Sequence, residues 1–180
     1  MVTPTFDFHP GRGTARRAHL DGQVLRHRLD VIAVGTVDVV HTVGGWLYDR
    51  VTAGWQVNVL LPRGCDTRPL RVLGARVLDA AGDLDVSGPM SQGLAVSAEA
   101  FAADDRVRAL VRKAVASRLT EVALWGEGWP LGADRGLTRT HYMPSAAARA
   151  FKAEALRAAG MHYEAIASTE SMVTDSAWPG

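Results

Sequence analysis

The segment from 36 to 62 carries the clearest hydrophobic pattern in the chain. Its first part repeats apolar or small residues every three or four positions, which places them on one face of a helix. This stripe consists of Val37, Val40, Gly44, Leu47 and Val51. Thr36 is a favourable N-cap, and Asp38 suits the positive end of the helix dipole. Gly54 suits the left-handed backbone conformation that often follows the last residue of a helix. The segment therefore predicts a helix that begins at Thr36 and ends before Gly54.

The following residues lose the helical period. Residues 55–61 read WQVNVLL, a nearly unbroken run of apolar or β-favouring side chains, and Pro62 ends the run. A continuous run of this length is typical of a strand that is covered on both faces, as in a parallel sheet. The pattern therefore predicts a buried strand directly after the helix.

A different pattern precedes the helix. Leu25, His27, Leu29, Val31 and Ala33 alternate with charged residues at 26, 28 and 30. A period of two with one polar face is typical of a half-exposed strand. We expect this strand to be antiparallel to its neighbours or to lie at an edge of the sheet.

The rest of the chain alternates between the two patterns. It predicts strands at 93–97 and 120–125, a helix at 104–118 capped by Asp104, and a helix at 145–159 capped by Ser145 and ended by Gly160. Residues 69–79 fit either a helix or a strand, and 82–92 is rich in loop-forming residues. The alternation predicts a layered α/β fold with a mostly parallel or mixed sheet of about four to five strands and helices on its faces.

Charge and loop-forming residues divide the chain into three parts. Residues 1–23 form an expected flexible basic arm rich in Pro and Gly, since five Arg stand against two Asp over residues 1–28. Residues 24–160 are expected to form a single α/β domain. Residues 161–180 contain Glu164, Glu170 and Asp175 without Lys or Arg, which indicates an acidic C-terminal tail.

Composition narrows the classes of protein. A net charge of +1 gives no overall field that favours nucleic acid or a membrane surface. Cys65 is the single cysteine, so an intrachain disulfide and a cysteine-based zinc site are excluded. No run approaches the ~20 apolar residues of a spanning helix, and the N-terminus lacks the apolar region of a signal peptide. We therefore expect a cytoplasmic protein with no membrane association.

Polar loops follow two of the predicted strands. If the strands are parallel, both loops lie at the carboxyl edge of the sheet, where open α/β sheets bind ligands. The first loop offers Arg63, Asp66 and Arg68, and the second offers Glu127, Trp129, Asp134 and Arg135. Polar loops also follow strands in α/β proteins without a ligand there, so the placement alone is not specific.

These residue types suit an anionic or nucleotide-like small molecule. Guanidinium groups bind carboxylate or phosphate in a bidentate manner, and an indole ring offers a stacking face. We therefore predict ligand binding by Arg63, Arg68, Trp129 and Arg135. The catalytic candidates for proton transfer are Asp66, Glu127 and Asp134.

The sequence motifs do not identify a reaction or a cofactor. Residues 126–132 read GEGWPLG, but the glycine spacing, Pro130 and the absence of a following helix exclude a dinucleotide fingerprint. No metal-binding motif is present, and the cofactor stays unknown. Cys65 could act as a nucleophile with His41 or His141 as its base, but an incidental loop cysteine explains it more simply.

Two glycines interrupt the first helix. Gly44 and Gly45 each cost about 1 kcal/mol relative to Ala in a helix, which indicates close packing at this point. Trp46 and Tyr48 stand beside them. If these aromatic rings are exposed, they mark a partner surface. If they are covered, they belong to the core.

Three hypotheses remain from the sequence. The first is a small-molecule-binding α/β domain, with catalysis not established. The second is a protein-protein interaction or regulatory module, or a homo-oligomer, that uses the charged termini and exposed aromatics. The third and least favoured is a nucleic-acid accessory protein, in which the basic arm and the Arg-rich helix 104–118 contact phosphates.

Overall fold

The structure is a computed structural model that describes residues 27–129, 136–162 and 166–175. Strands and helices alternate along most of this part of the chain. In order, the elements are β1 (Arg28–Ile32), α1 (Thr36–Thr52), β2 (Gln56–Leu61), α2 (Arg68–Val72), β3 (Arg76–Asp79), α3 (Ala80–Asp83), β4 (Gly93–Ser97), α4 (Ala98–Ala103), α5 (Asp105–Ser117), β5 (Glu121–Trp125), β6 (Thr138–Tyr142), α6 (Ala146–Ala158) and β7 (Glu170–Thr174). The predicted α/β class is confirmed.

The strands form one sheet in the order β3-β2-β1-β4-β5-β7-β6. Strands β1 to β5 are parallel, β7 is antiparallel to β5, and β6 is antiparallel to β7. The chain moves outward from β1 through β2 to β3, then returns to the other side of β1 with β4. This reversal opens a crevice between the carboxyl ends of β1 and β4, because the following helices cover opposite faces of the sheet.

The prediction for the first strand was wrong in two respects. β1 is parallel to both of its neighbours and lies between β2 and β4, away from either edge. The alternation itself is real, because Leu29 and Val31 pack in one core while the next residues face the other side. On that other side Asp30 accepts a hydrogen bond from Asn58 Nδ2 at 2.9 Å. Polar residues in a central strand thus bond to each other instead of marking an edge.

Two hydrophobic layers enclose the sheet. One face packs against α1, α2 and α6, and its core contains Val43, Trp46, Leu47, Val59 and Leu156. The other face packs against α4 and α5, and its core contains Ile32, Val96, Phe101, Val111 and Leu124. The predicted buried strand at 55–61 is β2, whose residues 57–61 are all buried.

The predicted number of strands was too low. The sheet has seven strands among the described residues, because β6 and β7 add an antiparallel pair beyond β5. β6 reads TRTHY and lies at the edge, and β7 reads ESMVT, so neither shows the apolar pattern of a strand. β7 falls within the range 161–180 that the sequence assigned to an acidic tail, and the expected arm at 1–23 lies outside the described residues.

Two helices follow their sequence signals closely. Asp104 caps α5 through a bond from the Arg106 amide, and Ser145 caps α6 through a bond from the Ala148 amide. The stripe of α1 was wrong at its start, because Val37 is exposed, and Gly35 stands at the N-cap in place of Thr36. No helix in the described ranges is long and apolar enough to cross a membrane.

Of the paired glycines of α1, Gly45 lies at a close contact, as the sequence indicated, whereas a β-carbon on Gly44 would make only ordinary contacts. A β-carbon on Gly45 would lie 2.7 Å from Pro144 Cβ and 3.0 Å from Glu170 Oε1. Trp46 is fully buried, and Tyr48 is half-buried with its ring stacked on Phe151 at a centroid distance of 4.5 Å. The Trp46 ring therefore belongs to the core, and it does not form a partner surface.

Candidate functional site

A crevice lies at the carboxyl edge of the sheet, where β4 and β5 end and α1 begins. Its volume is about 340 Å³. The residues that line it are Asp38, Ser97, Ala98, Glu99, Ala102, Trp125, Gly126 and Glu127. This is the topological switch point of the sheet, the place where open α/β sheets bind their ligands.

Asp38 is held in a defined orientation at this crevice. Its Oδ2 accepts a hydrogen bond from Trp125 Nε1 at 2.8 Å, and its Oδ1 accepts one from Thr42 Oγ1 at 3.2 Å. Trp125 is itself buried at the end of β5. The carboxylate of Asp38 therefore has a fixed position before any ligand arrives, which reduces the entropy lost on binding.

The backbone on the other side of the crevice is tightly packed. Ser97 ends β4 and caps α4, since its Oγ accepts a bond from the Ala100 amide at 3.1 Å. Gly126 has a φ of +90°, and a β-carbon there would lie 2.9 Å from Ala98 Cβ. Glycine is required at this position on both grounds. The turn after β5 thus brings Glu127 close to the start of α4.

The crevice is acidic. Asp38 is half-buried, and Glu99 and Glu127 are exposed, while the described lining contains no Arg, Lys or His. Carboxylates accept hydrogen bonds from hydroxyl and ammonium groups and repel anions. Within the described parts of the chain, no group of three or more His, Cys, Asp and Glu side chains is arranged to hold a metal ion. The arrangement can therefore accept hydrogen bonds or a proton from a ligand.

The structure separates the two loops that the sequence singled out. Both follow parallel strands and lie at the same edge, but β1 and β4 stand between β2 and β5. Three strand spacings amount to about 14 Å. Glu127 lines the acidic crevice, whereas Arg63, Asp66 and Arg68 are absent from its lining.

The two predicted arginine ligands that the structure describes, Arg63 and Arg68, each pair with a carboxylate. Arg63 Nε lies 2.5 Å from Asp79 Oδ2, and Arg68 Nη2 lies 2.7 Å from Asp66 Oδ2. The hydrogen bond from the Arg68 side chain lowers the pKa of Asp66 below its ordinary value. A lowered pKa makes Asp66 a weaker proton acceptor near neutral pH. Both arginines are exposed, so an incoming anion would compete with these pairs.

Trp129 supports the crevice from outside its lining. Its Nε1 donates to the Trp125 carbonyl at 3.2 Å, and its ring packs on Phe101 at a centroid distance of 4.9 Å. Part of the predicted stacking face is thus occupied by the core. Asp134 and Arg135 lie outside the residues that the structure describes.

Cys65 is half-buried, and its Sγ lies 3.9 Å from the Val34 carbonyl, which it approaches as a weak donor. His141, one of the two suggested bases, has its Nδ1 2.9 Å from Ser171 Oγ on the neighbouring strand. The simpler interpretation, an incidental loop cysteine, fits these contacts.

Sequence reasoning missed Asp38 and Glu99 as crevice residues. In the sequence Asp38 is notable only as a residue that suits the helix dipole, and Glu99 stands just after the predicted strand at 93–97 with no further signal. Their common signal is that each lies within six residues of the last residue of a parallel strand, Ile32 for Asp38 and Ser97 for Glu99. Only the strand order shows that these two strands are adjacent at the switch point.

No protein-family model matches the sequence, and no curated protein matches it significantly. Solved structures do resemble it. The A40926 pseudoaglycone deacetylase matches with a TM-score of 0.45 and 16% identity, over 73% of this chain and 80% of the deacetylase. A mutant deacetylase of the teicoplanin biosynthetic pathway matches with a TM-score of 0.48 and 14% identity, over the same shares of the two chains.

A deacetylase solved in complex with teicoplanin matches with a TM-score of 0.52 and 13% identity. The match covers 82% of this chain and 96% of the deacetylase. This likeness shows a shared fold, and at 13% identity it shows the fold alone.

Proposed function

We propose that the acidic crevice binds a small molecule through hydroxyl and amino groups. The observation that carries the proposal is the oriented Asp38 carboxylate at the switch point, with Glu99 and Glu127 beside it. Three acceptors around one crevice match a ligand rich in hydrogen-bond donors. A protonated amine gains in addition from the negative charge.

The anionic ligand expected from the sequence fits this crevice less well. Its carboxylates would repel a phosphate, and Arg63 and Arg68, which could attract one, follow a strand that lies three strand spacings from β5. The alternative hypothesis is that an anionic ligand binds at Arg68 and displaces Asp66 from it. The two hypotheses predict opposite charge preferences and different contact residues.

A charge series of sugars distinguishes them. Glucosamine, glucose and glucose 6-phosphate share one ring and differ in charge. Two unit charges 4 Å apart interact by about 1 to 4 kcal/mol between bulk water and a protein surface, so we expect glucosamine to bind at least about fivefold more tightly than glucose. The readout is the indole N–H signal of Trp125 in NMR titrations, assigned with the Trp125→Phe variant.

Matched variants locate the binding. Glu127→Gln and Glu99→Gln should each weaken glucosamine binding, while Glu154→Gln removes an exposed carboxylate on α6, paired with Arg157, and should leave it unchanged. Preference for glucose 6-phosphate, with signals moving at Arg63 and Arg68 instead of Trp125, would establish the anionic alternative. Absence of saturable shifts with all three sugars would exclude a sugar or amine site here.

Amide hydrolysis is a second candidate, favoured by the fold shared with a deacetylase and by exposed carboxylates that could act as a general base. In this reaction water adds to an N-acetyl carbonyl, the C–N bond breaks, and acetate and a free amine leave. Release of acetate from N-acetylglucosamine that is lost in Glu127→Gln would support it. No release above the uncatalysed rate would leave a binding function.

The other hypotheses from the sequence remain predictions with weaker support. The hypothesis of an interaction module is weakened because the Trp46 ring is buried. Measuring the size of the full chain in solution tests for a homo-oligomer. For nucleic acid, Arg106 on α5 pairs with Asp104 and Arg108 pairs with Asp105, which lowers the charge available to phosphates. Binding to duplex or single strands at low salt tests that hypothesis.

A further inference from the structure

A second cavity lies on the α1 and α6 side of the sheet, apart from the acidic crevice. Its volume is about 210 Å³. The residues that line it are His41, Thr42, Lys152, Leu156, Ile166, Ala167, Thr169, Glu170 and Ser171. Its inner wall holds two buried charges, and several of its outer residues are exposed, so the cavity opens to solvent.

The buried charges form an ion pair. Lys152 Nζ lies 2.6 Å from Glu170 Oε1, and the two side chains are 3% and 1% exposed. Glu170 also accepts hydrogen bonds from the amides of Gly45 and Trp46, each at 2.8 Å. The carboxylate therefore has three donors and is well satisfied.

The ammonium of Lys152 is less well satisfied. It carries three N–H donors, and among the described residues only Glu170 accepts one of them. Buried polar groups are nearly always hydrogen-bonded, because an unmet donor costs about 1–3 kcal/mol. The remaining donors of this buried ammonium therefore require acceptors that the described protein atoms do not supply, and the adjoining cavity has room for them.

The charge of the ion pair defines the acceptor. Lys152 and Glu170 neutralise each other, so a further carboxylate or phosphate would add an unpaired negative charge beside Glu170. A neutral oxygen accepts the same hydrogen bonds without that cost. Leu156 and Ile166 provide an apolar wall for the rest of the molecule. The volume corresponds to about seven water molecules at ~30 Å³ each, which suits a short-chain compound.

We propose that this cavity is a binding site for a small uncharged molecule that presents a carbonyl oxygen, such as a primary amide, to Lys152. The residues that line this cavity differ from those that line the acidic crevice, although Thr42 of the cavity also donates to Asp38 of the crevice. The ligand chemistry does not follow from the function proposed for the crevice.

Propionamide, propionate and propanol test the proposal as probes of equal chain length. The amides of Gly45 and Trp46 are the reporters, because both bond to the carboxylate that holds Lys152. We expect saturable NMR shifts with propionamide at about millimolar affinity, given the few non-hydrogen atoms of the probe. Propionate should bind at least several-fold more weakly because of its charge, and propanol because a hydroxyl oxygen is a weaker hydrogen-bond acceptor than an amide oxygen.

Two bulky substitutions provide a matched pair. Ala167→Trp places a ring at the exposed rim of the cavity and should abolish the shifts, while Ala150→Trp places the same ring on the exposed face of α6 and should leave them unchanged. The double variant Lys152→Met, Glu170→Gln removes both charges together and should lose propionamide binding while it stays folded.

Three results would overturn the proposal. The first is the absence of saturable shifts with propionamide in the folded wild-type protein. The second is tighter binding of propionate than of propionamide, which contradicts the neutral acceptor. The third is a crystal soaked with propionamide in which ordered water alone bonds to Lys152, since the cavity would then be a hydrated structural site.

Discussion

Gly45→Ala tests the contact that joins α1 to β7 and to the start of α6. The added β-carbon would lie 2.7 Å from Pro144 Cβ, 2.8 Å from Pro144 Cγ and 3.0 Å from Glu170 Oε1. The proline ring cannot rotate away, and Glu170 is held by Lys152 and by two amides of α1. The helix or the segment around Pro144 must therefore move to admit one methyl group.

The magnitude follows from three opposing terms. Alanine gains about 1 kcal/mol over glycine from helix propensity. Overpacking in a rigid environment costs about 1–3 kcal/mol. A shift of the helix also weakens the hydrogen bond from the Gly45 amide to the charged Glu170 carboxylate, a type of bond that contributes about 1.5–3 kcal/mol. If about half of that contribution is lost, the free energy of unfolding falls by about 1–4 kcal/mol.

Gly44→Ala is the matched control on the neighbouring residue. Its β-carbon would lie 3.4 Å from Leu73 Cδ1 and 3.6 Å from Lys152 Cγ, which are ordinary contacts. We expect this variant to be as stable as the wild type or up to about 1 kcal/mol more stable. Urea unfolding of both variants gives the comparison, with unchanged slopes as the condition. Gly45→Ala at or above the stability of Gly44→Ala would refute the reasoning.

Three further predictions concern stability. Lys152→Met should lower the free energy of unfolding by about 3–5 kcal/mol, because it leaves the Glu170 carboxylate buried and unpaired. Adding Glu170→Gln should recover most of this loss. Equal stability of the single and the double variant in urea unfolding would contradict this prediction. Burial first, and then the hydrogen bond to Asp49, raise the pKa of Tyr142 above its ordinary value. Because the folded state holds this proton more tightly, the resulting stabilisation is complete below the unfolded value of about 10 and is lost as the pH rises above it. Above pH 10, the urea midpoint should therefore fall less steeply with pH in Tyr142→Phe than in the wild type. Parallel curves for the two proteins would count against this prediction. In Gly126→Ala the new side chain would have to adopt a φ of +90°, and its β-carbon would lie 2.9 Å from Cβ of the first residue of α4. We therefore expect at least about 1 kcal/mol of destabilisation and weaker glucosamine binding. A variant with wild-type binding and stability would show that the turn is not constrained.

Local elements with strong periodicity were predictable from the sequence. The helix at 104–118, the helix at 145–159 and the strand at 93–97 match α5, α6 and β4 within one or two residues. Burial repeats with the period of the backbone, and side-chain caps such as Asp104 and Ser145 act within three residues of the helix start. Such signals need no knowledge of the remaining fold.

Elements stabilised by distant partners were not predictable. Glu170 in β7 looks like part of an acidic tail until Lys152 and the amides of Gly45 and Trp46 surround it. Asp30 looks like a solvent-exposed charge until Asn58, from the neighbouring strand, bonds to it and Arg28 forms an ion pair with it, and Arg28 also donates to the Pro89 carbonyl in the loop before β4. In both cases a charge that appears unfavourable in a strand is compensated by a residue far away in the sequence.

The candidate site shows the same division. The sequence alone indicated the α/β class, the polar strand ends and a close contact at the paired glycines, because each signal depends on neighbours along the chain; the structure places that contact at Gly45. The sequence grouped Arg63 with Glu127, since nothing local records how many strands separate two loops. The tertiary structure supplied the strand order, which puts Glu127 with Asp38 and Glu99. Strand order arises from the packing of whole helices on the two faces of the sheet, so residues that meet at one crevice carry no common local pattern.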